Sequence, residues 1–403
     1  MKIHSSKILP ALALALLFLI GGGLQLMGLL SLTQSNYLVI ALMVTYLLAS
    51  PIRMGLSRSE AALLVLALYV ALGPFVNGST PINTVVYIYY LACPFISARF
   101  VERIGKDSDV LRSQVVFRWI AAFLFLQLVA VLFQTTFTTQ LIAVSATPIT
   151  AVDVASGTFY IKSDNTLSAF CALAALMAVW YCERPLVRNL ILILSLTAVT
   201  LANSKAFQQI TPLLIAWAFL ESRFFKGRNL KVKIVLTAML LALLLALFYQ
   251  RILEELASFR LFLYEIYDYR LGGDRADRFA PLGEILNSPP SFFGMGALTY
   301  YNPITKEWYY NAGFSLFYSL YFDYGLWGLA LALWYFLSLT IELGGKSMRS
   351  ATLFGIFLVF FMFSPTITDL AFLTSFIGAC MMVGAHTKLP RSVGGLSRLP
   401  GSS

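Results

Sequence analysis

Arg275 and Arg278 stand three residues apart behind the pair Gly272-Gly273, with Asp274 in an N-cap position ahead of them. A short helix starting there, limited by Pro281, puts both arginines on one face. Two guanidiniums at a helix N-terminus suit a diphosphate: planar forks bind phosphate oxygens in pairs, and the helix end adds partial positive charge. The plainer alternative pairs them with Asp274, Asp277 or Glu284 as staples of their own segment. A third cation, Lys205, follows Asn203 and Ser204 in a short turn between two apolar runs, where a lone lysine also snorkels to a membrane interface. Asp323 lies in the outward part of one late apolar run and Asp369 at the outer end of the last. Acids in such places are functional candidates, with a solvated helix end as the alternative. Asp107-Ser108-Asp109 has the DxD form of metal-binding transferases but no strands around it, and is a chance match. The four cysteines sit in apolar segments without a CxxC pair, and the two histidines, His4 and His386, lie near the chain ends. The sequence therefore offers no site for a metal or another cofactor and no central histidine chemistry.

The elements that must position these residues are apolar. Of 403 residues, 59% are hydrophobic and 12% charged, with mean hydropathy +0.78. Soluble domains stay near about 45–50% apolar, so the fold class is all-α, a polytopic bundle in a membrane. The net charge of +10 belongs to connectors between spans, where Lys and Arg set orientation, and does not point to nucleic acid. Apolar runs predict twelve transmembrane helices, near 8–30, 37–52, 60–76, 82–98, 115–134, 166–182, 186–202, 206–221, 229–249, 312–342, 350–367 and 369–386. The first is read as a retained span, and Gly21-Gly22-Gly23 within it as a place of close helix packing. With both termini cytoplasmic, 21 of the 29 basic residues fall inside. Residues 1–390 form one membrane domain, and 391–403 a disordered cytoplasmic tail.

Two outer segments exceed mere connectors. Residues 135–165 are apolar and rich in small side chains, as a re-entrant piece or a lid would be. Residues 250–311, between the ninth and tenth spans, carry six basic and eight acidic residues with many aromatics, and are expected to be the folded working part. Within them, 251–270 has an apolar stripe at helical spacing and should lie along the membrane surface.

The order of features resembles the O-antigen polymerase and ligase superfamily of membrane glycosyltransferases. The residues that carry the likeness are Ser204-Lys205 in a short outer turn, Arg275 and Arg278 in a late large loop, Pro290 through Gly294-Met295-Gly296, Asn311 opening a late span, and Asp323 before Gly325 and Gly328. They cover roughly residues 190–330. Ligases of this superfamily usually have a histidine before the asparagine; here Tyr310 precedes Asn311, which points to a polymerase.

The resemblance implies a GT-C-like, metal-independent glycosyltransferase in the bacterial inner membrane, with its active site on the periplasmic side. It would transfer a glycan from undecaprenyl diphosphate to a lipid-linked repeat unit, building O-antigen or exopolysaccharide. Donor and acceptor are both lipid-linked oligosaccharides, and a chain-length regulator is a further candidate partner. Fixed cations would stabilise the departing diphosphate, a role for Arg275, Arg278 and Lys205, with Ser204 beside them. Glu265, Asp268, Asp277 and Glu284 are candidates to take the acceptor's proton, and nothing chooses among them. Tyr300, Tyr301, Trp308, Tyr309 and Tyr310 are candidate sugar platforms or interfacial anchors, and Asn311 and Asp323 complete the substrate-binding set. The alternatives are an O-antigen ligase and, from another class, a lipid-linked oligosaccharide flippase or transporter. Transporters commonly show two related halves, whereas this chain concentrates its polar residues in one late loop. A scaffold role in envelope synthesis is a further alternative.

Overall fold

The computed structural model describes residues 2–49, 56–105, 111–145, 154–160, 163–202, 204–224, 292–302, 307–308, 315–364 and 369–387. The predicted span 229–249, most of the loop 250–311 and the tail 391–403 lie outside the described residues. Helices occupy the other eleven predicted spans. In chain order they are α1 (Lys2–Ala15), which runs through a π-helical turn at Leu16–Ile20 into α2 (Gly21–Leu26), then α3 (Leu32–Leu48), α4 (Arg58–Ala71), the short α5 (Gly73–Val76), α6 (Pro81–Ile104), α7 (Gln114–Thr136), α8 (Thr138–Val144), α9 (Asp164–Tyr181), α10 (Pro185–Leu201), α11 (Lys205–Phe224), α12 (Leu316–Gly344), α13 (Met348–Phe363) and α14 (Leu370–Thr387). Among the described residues, the one addition to the all-α expectation is a two-residue antiparallel pairing of β1 (Tyr301–Asn302) with β2 (Glu307–Trp308).

Among the described residues, five helices are long and apolar enough to cross a membrane: Ile8–Leu26, Pro81–Ile104, Gln114–Thr136, Leu316–Gly344 and Leu370–Thr387. Leu32–Leu48, Pro185–Leu201 and Met348–Met362 are shorter apolar helices. The exterior is apolar too: Trp119, Phe125, Leu126, Val129, Leu132 and Phe133 all face outward from α7. An apolar helix surface of this kind fits hydrocarbon and not water.

Local chemistry sets several boundaries. Ser31 with Gln34 and Ser57 with Glu60 form reciprocal caps that start α3 and α4. The predicted span 37–52 accordingly begins earlier, at Leu32, and ends earlier, at Leu48. The predicted span 60–76 is broken after Leu72, where Gly73 and Pro74 open the separate turn α5. Thr80 caps α6 ahead of Pro81 in the first helical position, where a missing N–H costs nothing.

In the bundle, α12 packs against α4, α13 and α14, while α14 also meets α6 and α9, and α9 meets α10 and α11. The interior helix is α9, buried at nearly every position from Thr166 to Tyr181. Its Ala-rich stretch lets neighbouring backbones approach closely. Residues 154–160 of the first outer segment also enter the bundle, with Val154, Ala155, Ser156, Phe159 and Tyr160 buried. Gly21 and Gly22 admit them: a Cβ on Gly22 would strike the Phe159 carbonyl, and one on Gly21 the Tyr160 ring. Gln127 donates to Thr158 Oγ1 at 2.5 Å, and the Gly157 amide donates to Gln134 at 2.8 Å. The glycine triplet thus serves an irregular segment, not a neighbouring helix, and Gly23 faces open space.

The two ends of the bundle differ in charge. Short connectors make α9 and α11 begin at one end, as α12 and α14 also do, and a bond from Thr166 to Asp369 joins the two pairs there. This is the loop end of the bundle. At the opposite end, Arg99 is paired with Glu60 and with Glu102, and the Ser59 amide and hydroxyl donate to Glu342 at 3.2 and 2.8 Å. Arg349 there bonds Glu221 at 3.2 Å and covers the Tyr181 ring at 4.8 Å, on which His386 is also stacked at 4.0 Å. Among the described residues, Lys205 is the one basic residue at the loop end.

Candidate functional site

The loop end is organised by a break in α12. Gly325 has φ 66° and ψ −163°, values outside the helical region and open in practice only to glycine. A break there frees carbonyls that would have accepted bonds from the next turn. Each receives a donor from elsewhere. Phe322 O accepts from the Met295 amide at 2.7 Å, and Asp323 O from the Gly296 amide at 3.0 Å and Asn77 Nδ2 at 3.0 Å. Tyr324 O accepts from Tyr69 Oη at 2.9 Å.

The Asp323 side chain turns toward the same loop. It is 1% exposed, and its Oδ1 accepts from the Tyr300 amide at 2.9 Å, with the Leu298 and Thr299 amides beside it. Three successive amides converge because Leu298 adopts φ 60°, which folds the backbone into a concave anion cradle. Gly294 (φ 78°) and Gly296 (φ 113°) bring the chain in: a Cβ on Gly294 would lie 2.5 Å from the Asp323 carbonyl. The turn before α6 holds the loop from the other side. Ser79 Oγ accepts from the Ala297 amide at 2.7 Å, Asn77 Nδ2 donates to Phe293 O at 2.9 Å, and Asn83 Nδ2 donates to Ala297 O at 3.3 Å. The segment 292–301 is therefore clamped between α12 and the turn joining α5 to α6.

A second polar knot forms where α9, α11 and α14 begin. Ser204 is buried and donates to Asn165 Oδ1 at 2.5 Å, so the turn bearing Lys205 is fastened to the first turn of α9. Thr166 donates to Asp369 Oδ2, while Asp369 Oδ1 accepts the Phe372 amide at 2.9 Å and caps α14.

These placements distribute the candidate residues as follows. Ser204, Lys205, Tyr300, Tyr301, Trp308 and Asp323 all stand at the loop end, although the Lys205 and Trp308 side chains are outside the described part. Glu265, Arg275, Asp277, Arg278, Glu284, Tyr310 and Asn311 lie outside the described residues, as do Asp268 and Tyr309. Tyr300 is fully buried, its ring stacked on Phe322 at 5.7 Å and near Tyr318 at 5.9 Å. It walls the loop's seat and is not an open platform. Tyr301, partly exposed, is the register partner of Trp308 in the small pairing, so these two platform candidates are brought together by backbone. Asp323 is occupied by the loop that it holds. Its contribution to a site is to fix where Tyr300 and Tyr301 stand.

No protein-family model and no curated protein matches this chain. The site is thus read from its own chemistry. Among the described residues, no group of three or more His, Cys, Asp or Glu is arranged to hold a metal, and the four cysteines are buried and unpaired with one another. What the loop end offers is a loop hydrogen-bonded on both sides, two polar helix starts and aromatic side chains. Asn77, Ser79 and Asn83 were missed in the sequence; their one signal was the polar, turn-forming run Asn77-Gly78-Ser79-Thr80-Pro81 between apolar stretches.

Proposed function

We propose that this chain is a polysaccharide polymerase of the bacterial inner membrane, transferring a glycan from undecaprenyl diphosphate to a lipid-linked repeat unit at the periplasmic face. The observation that carries the reading is the union of two separated motif segments: Gly294-Met295-Gly296 and Asp323-Tyr324-Gly325 are one hydrogen-bonded unit. The turn Ser204-Lys205 shares their end of the bundle. These are the segments that carry the resemblance to the O-antigen polymerase and ligase superfamily, and their convergence is what a shared site requires.

In this reading the bundle has twelve spans and a GT-C-like plan, with the basic end in the cytoplasm and the loop end in the periplasm. Arg275 and Arg278, joined by Lys205, hold the donor diphosphate. Breaking the anomeric C–O bond leaves negative charge on the diphosphate, which these cations stabilise without a metal. The acceptor hydroxyl attacks the anomeric carbon, and its proton passes to one of the loop carboxylates, Glu265, Asp268, Asp277 or Glu284. Tyr301, Trp308 and Tyr310 cover sugar faces.

Deleting the chain from its cells tests the reading. A polymerase predicts lipid-linked single repeat units accumulating at the outer face, with polymer absent. Long chains still attached to the lipid carrier would make it a ligase, and single units trapped at the inner face would make it a flippase.

A further inference from the structure

Tyrosines are unevenly placed. Among the described residues, α7, α10, α11, α13 and α14 carry none, whereas α3, α4, α6, α12 and the loop beside them carry Tyr37, Tyr69, Tyr87, Tyr89, Tyr90, Tyr300, Tyr301, Tyr318, Tyr321 and Tyr324 toward or near the loop end, and the segment 154–160 adds only the buried Tyr160. An interfacial aromatic belt rings a bundle at headgroup level. These residues form a one-sided patch instead. Tyr37 on α3 packs against Tyr89 on α6 at 5.5 Å, Tyr89 lies 5.9 Å from Tyr90, and Tyr90 lies 6.4 Å from Tyr87. Tyr87 then meets Tyr324 at 4.8 Å, directly beside Asp323.

The patch has a closed floor and an open rim. Tyr87 and Tyr324 are buried, while Tyr37 is 55% exposed and Tyr89, Tyr90 and Tyr301 are partly exposed. On the same helix as Tyr89 and Tyr90, Asn83 donates to the Ala297 carbonyl of the loop at 3.3 Å. The rim thus links a lipid-facing helix pair to the clamped loop. Hydrocarbon alone would be met as well by Phe or Leu, and a phenol's hydroxyl needs a hydrogen-bonding partner where water is scarce. A ligand with apolar faces and a hydroxylated edge, lying at the bilayer boundary, meets both needs. A membrane-anchored saccharide has that form.

We propose that the α3–α6 face beneath the loop, rimmed by Tyr37, Tyr89, Tyr90 and Tyr301, is a saccharide-binding cleft for the sugars next to the lipid anchor of a lipid-linked glycan. The proposal rests on the polymerase reading for the identity of the glycan. It adds a site on helices far in sequence from the arginine loop, so that the saccharide reaches the loop end along the bundle's flank. Flat ring faces hold the apolar side of a pyranose, and the hydroxyls bond its edge.

Binding and turnover are measured separately on purified protein in nanodiscs. The probe is the lipid-linked saccharide pool extracted from cells lacking this chain, with bare undecaprenyl diphosphate for comparison. The parent should bind the saccharide-bearing lipid more tightly than the bare lipid. Tyr37→Leu and Tyr90→Leu should weaken saccharide-bearing lipid about tenfold, the order expected for one lost aromatic face, and leave the bare lipid unchanged. Tyr37→Phe should recover most of that loss. Tyr46→Phe, at the opposite end against Phe100, should match the parent. Equal binding of both lipids by the parent, or parental affinities in both leucine variants, overturns the cleft. Tyr37 is exposed enough that its variants should fold, and a parental elution profile checks this. Selective binding without chain extension by the parent would sink the polymerase reading and leave the cleft standing. Extension with a parental KM in both leucine variants would sink the cleft and leave the polymerase.

Discussion

The Tyr300 amide donates to Asp323 Oδ1 at 2.9 Å, while the Asp323 carbonyl accepts from Gly296 at 3.0 Å. One residue thus holds the loop 292–301 through both its side chain and its backbone, and the break at Gly325 makes the second bond available. Asp323→Ala should leave the buried Tyr300 amide without its acceptor, at about 1–3 kcal/mol for the group left unpaired. Asp323→Asn keeps one acceptor oxygen and should lose less. Thermal unfolding in detergent, together with protease cleavage near Phe292, checks this order. Equal stability of parent and alanine variant would show that the loop does not depend on this carboxylate.

Gly325→Ala and Gly294→Ala should both destabilise, the first through backbone strain of about 1–3 kcal/mol and the second through collision with the α12 backbone. Gly23→Ala meets open space and should be close to neutral. Midpoints of thermal unfolding for the three variants separate them, and a Gly23→Ala variant as unstable as Gly294→Ala would argue against the packing described.

At the opposite end, the partner of Arg349 is a nearly enclosed carboxylate, Glu221, whose side chain is 5% exposed. Arg349→Ala should cost about 3 kcal/mol or more, because it strands a buried charge. The double variant Arg349→Ala with Glu221→Gln should recover part of that loss, and a double variant no better than the single one would contradict the pairing.

Much of this arrangement was legible in the sequence because it depends on local chemistry. Apolar runs bounded by charges marked eleven helices, Ser31 and Ser57 carried cap signatures, and Gly294-Met295-Gly296 signalled a turn. The basic residues marked one end of each helix pair, and the described charges do gather there. The rest depended on partners far apart in the chain. Asn77 and Asp323 are 246 positions apart, and no period or propensity links them. Asp323 looked like a substrate-facing acid because burial by a distant loop leaves no trace in its neighbours. Tyr300 looked like a platform equal to Tyr301 because two adjacent tyrosines differ in exposure only once the loop is folded. The small-residue segment near 154–160 suggested a re-entrant piece or a lid, and its depth in the bundle follows from Gly21 and Gly22, well over a hundred residues earlier.

Sidedness has its own test. Single cysteines in place of Ser108, Phe225 and Ser347 should be shielded from an impermeant thiol reagent in intact cells, and those at Ser163 and Thr305 should label. Ser163 precedes α9 at the loop end and Ser347 caps α13 at the other. Labelling at Phe225 or Ser347 would reverse the orientation and move the proposed site to the cytoplasm.

The arginine clamp predicts that Arg275→Ala or Arg278→Ala abolishes chain extension while the protein stays in the membrane at normal amount. Lysine at either position keeps the charge without the fork and should restore part of the rate. Parental rates in both alanine variants, or their disappearance from the membrane, would remove the arginines from the clamp and leave Lys205 as the stronger candidate.

Chain extension by the purified protein is the most direct test of the central claim. Protein in lipid vesicles, supplied with lipid-linked repeat units and excess chelator, should yield a ladder of products one repeat apart, with undecaprenyl diphosphate released at each step. Repeat units recovered unextended from active-folded protein, or a ladder that appears only after magnesium is returned, would contradict a metal-independent polymerase built on fixed cations.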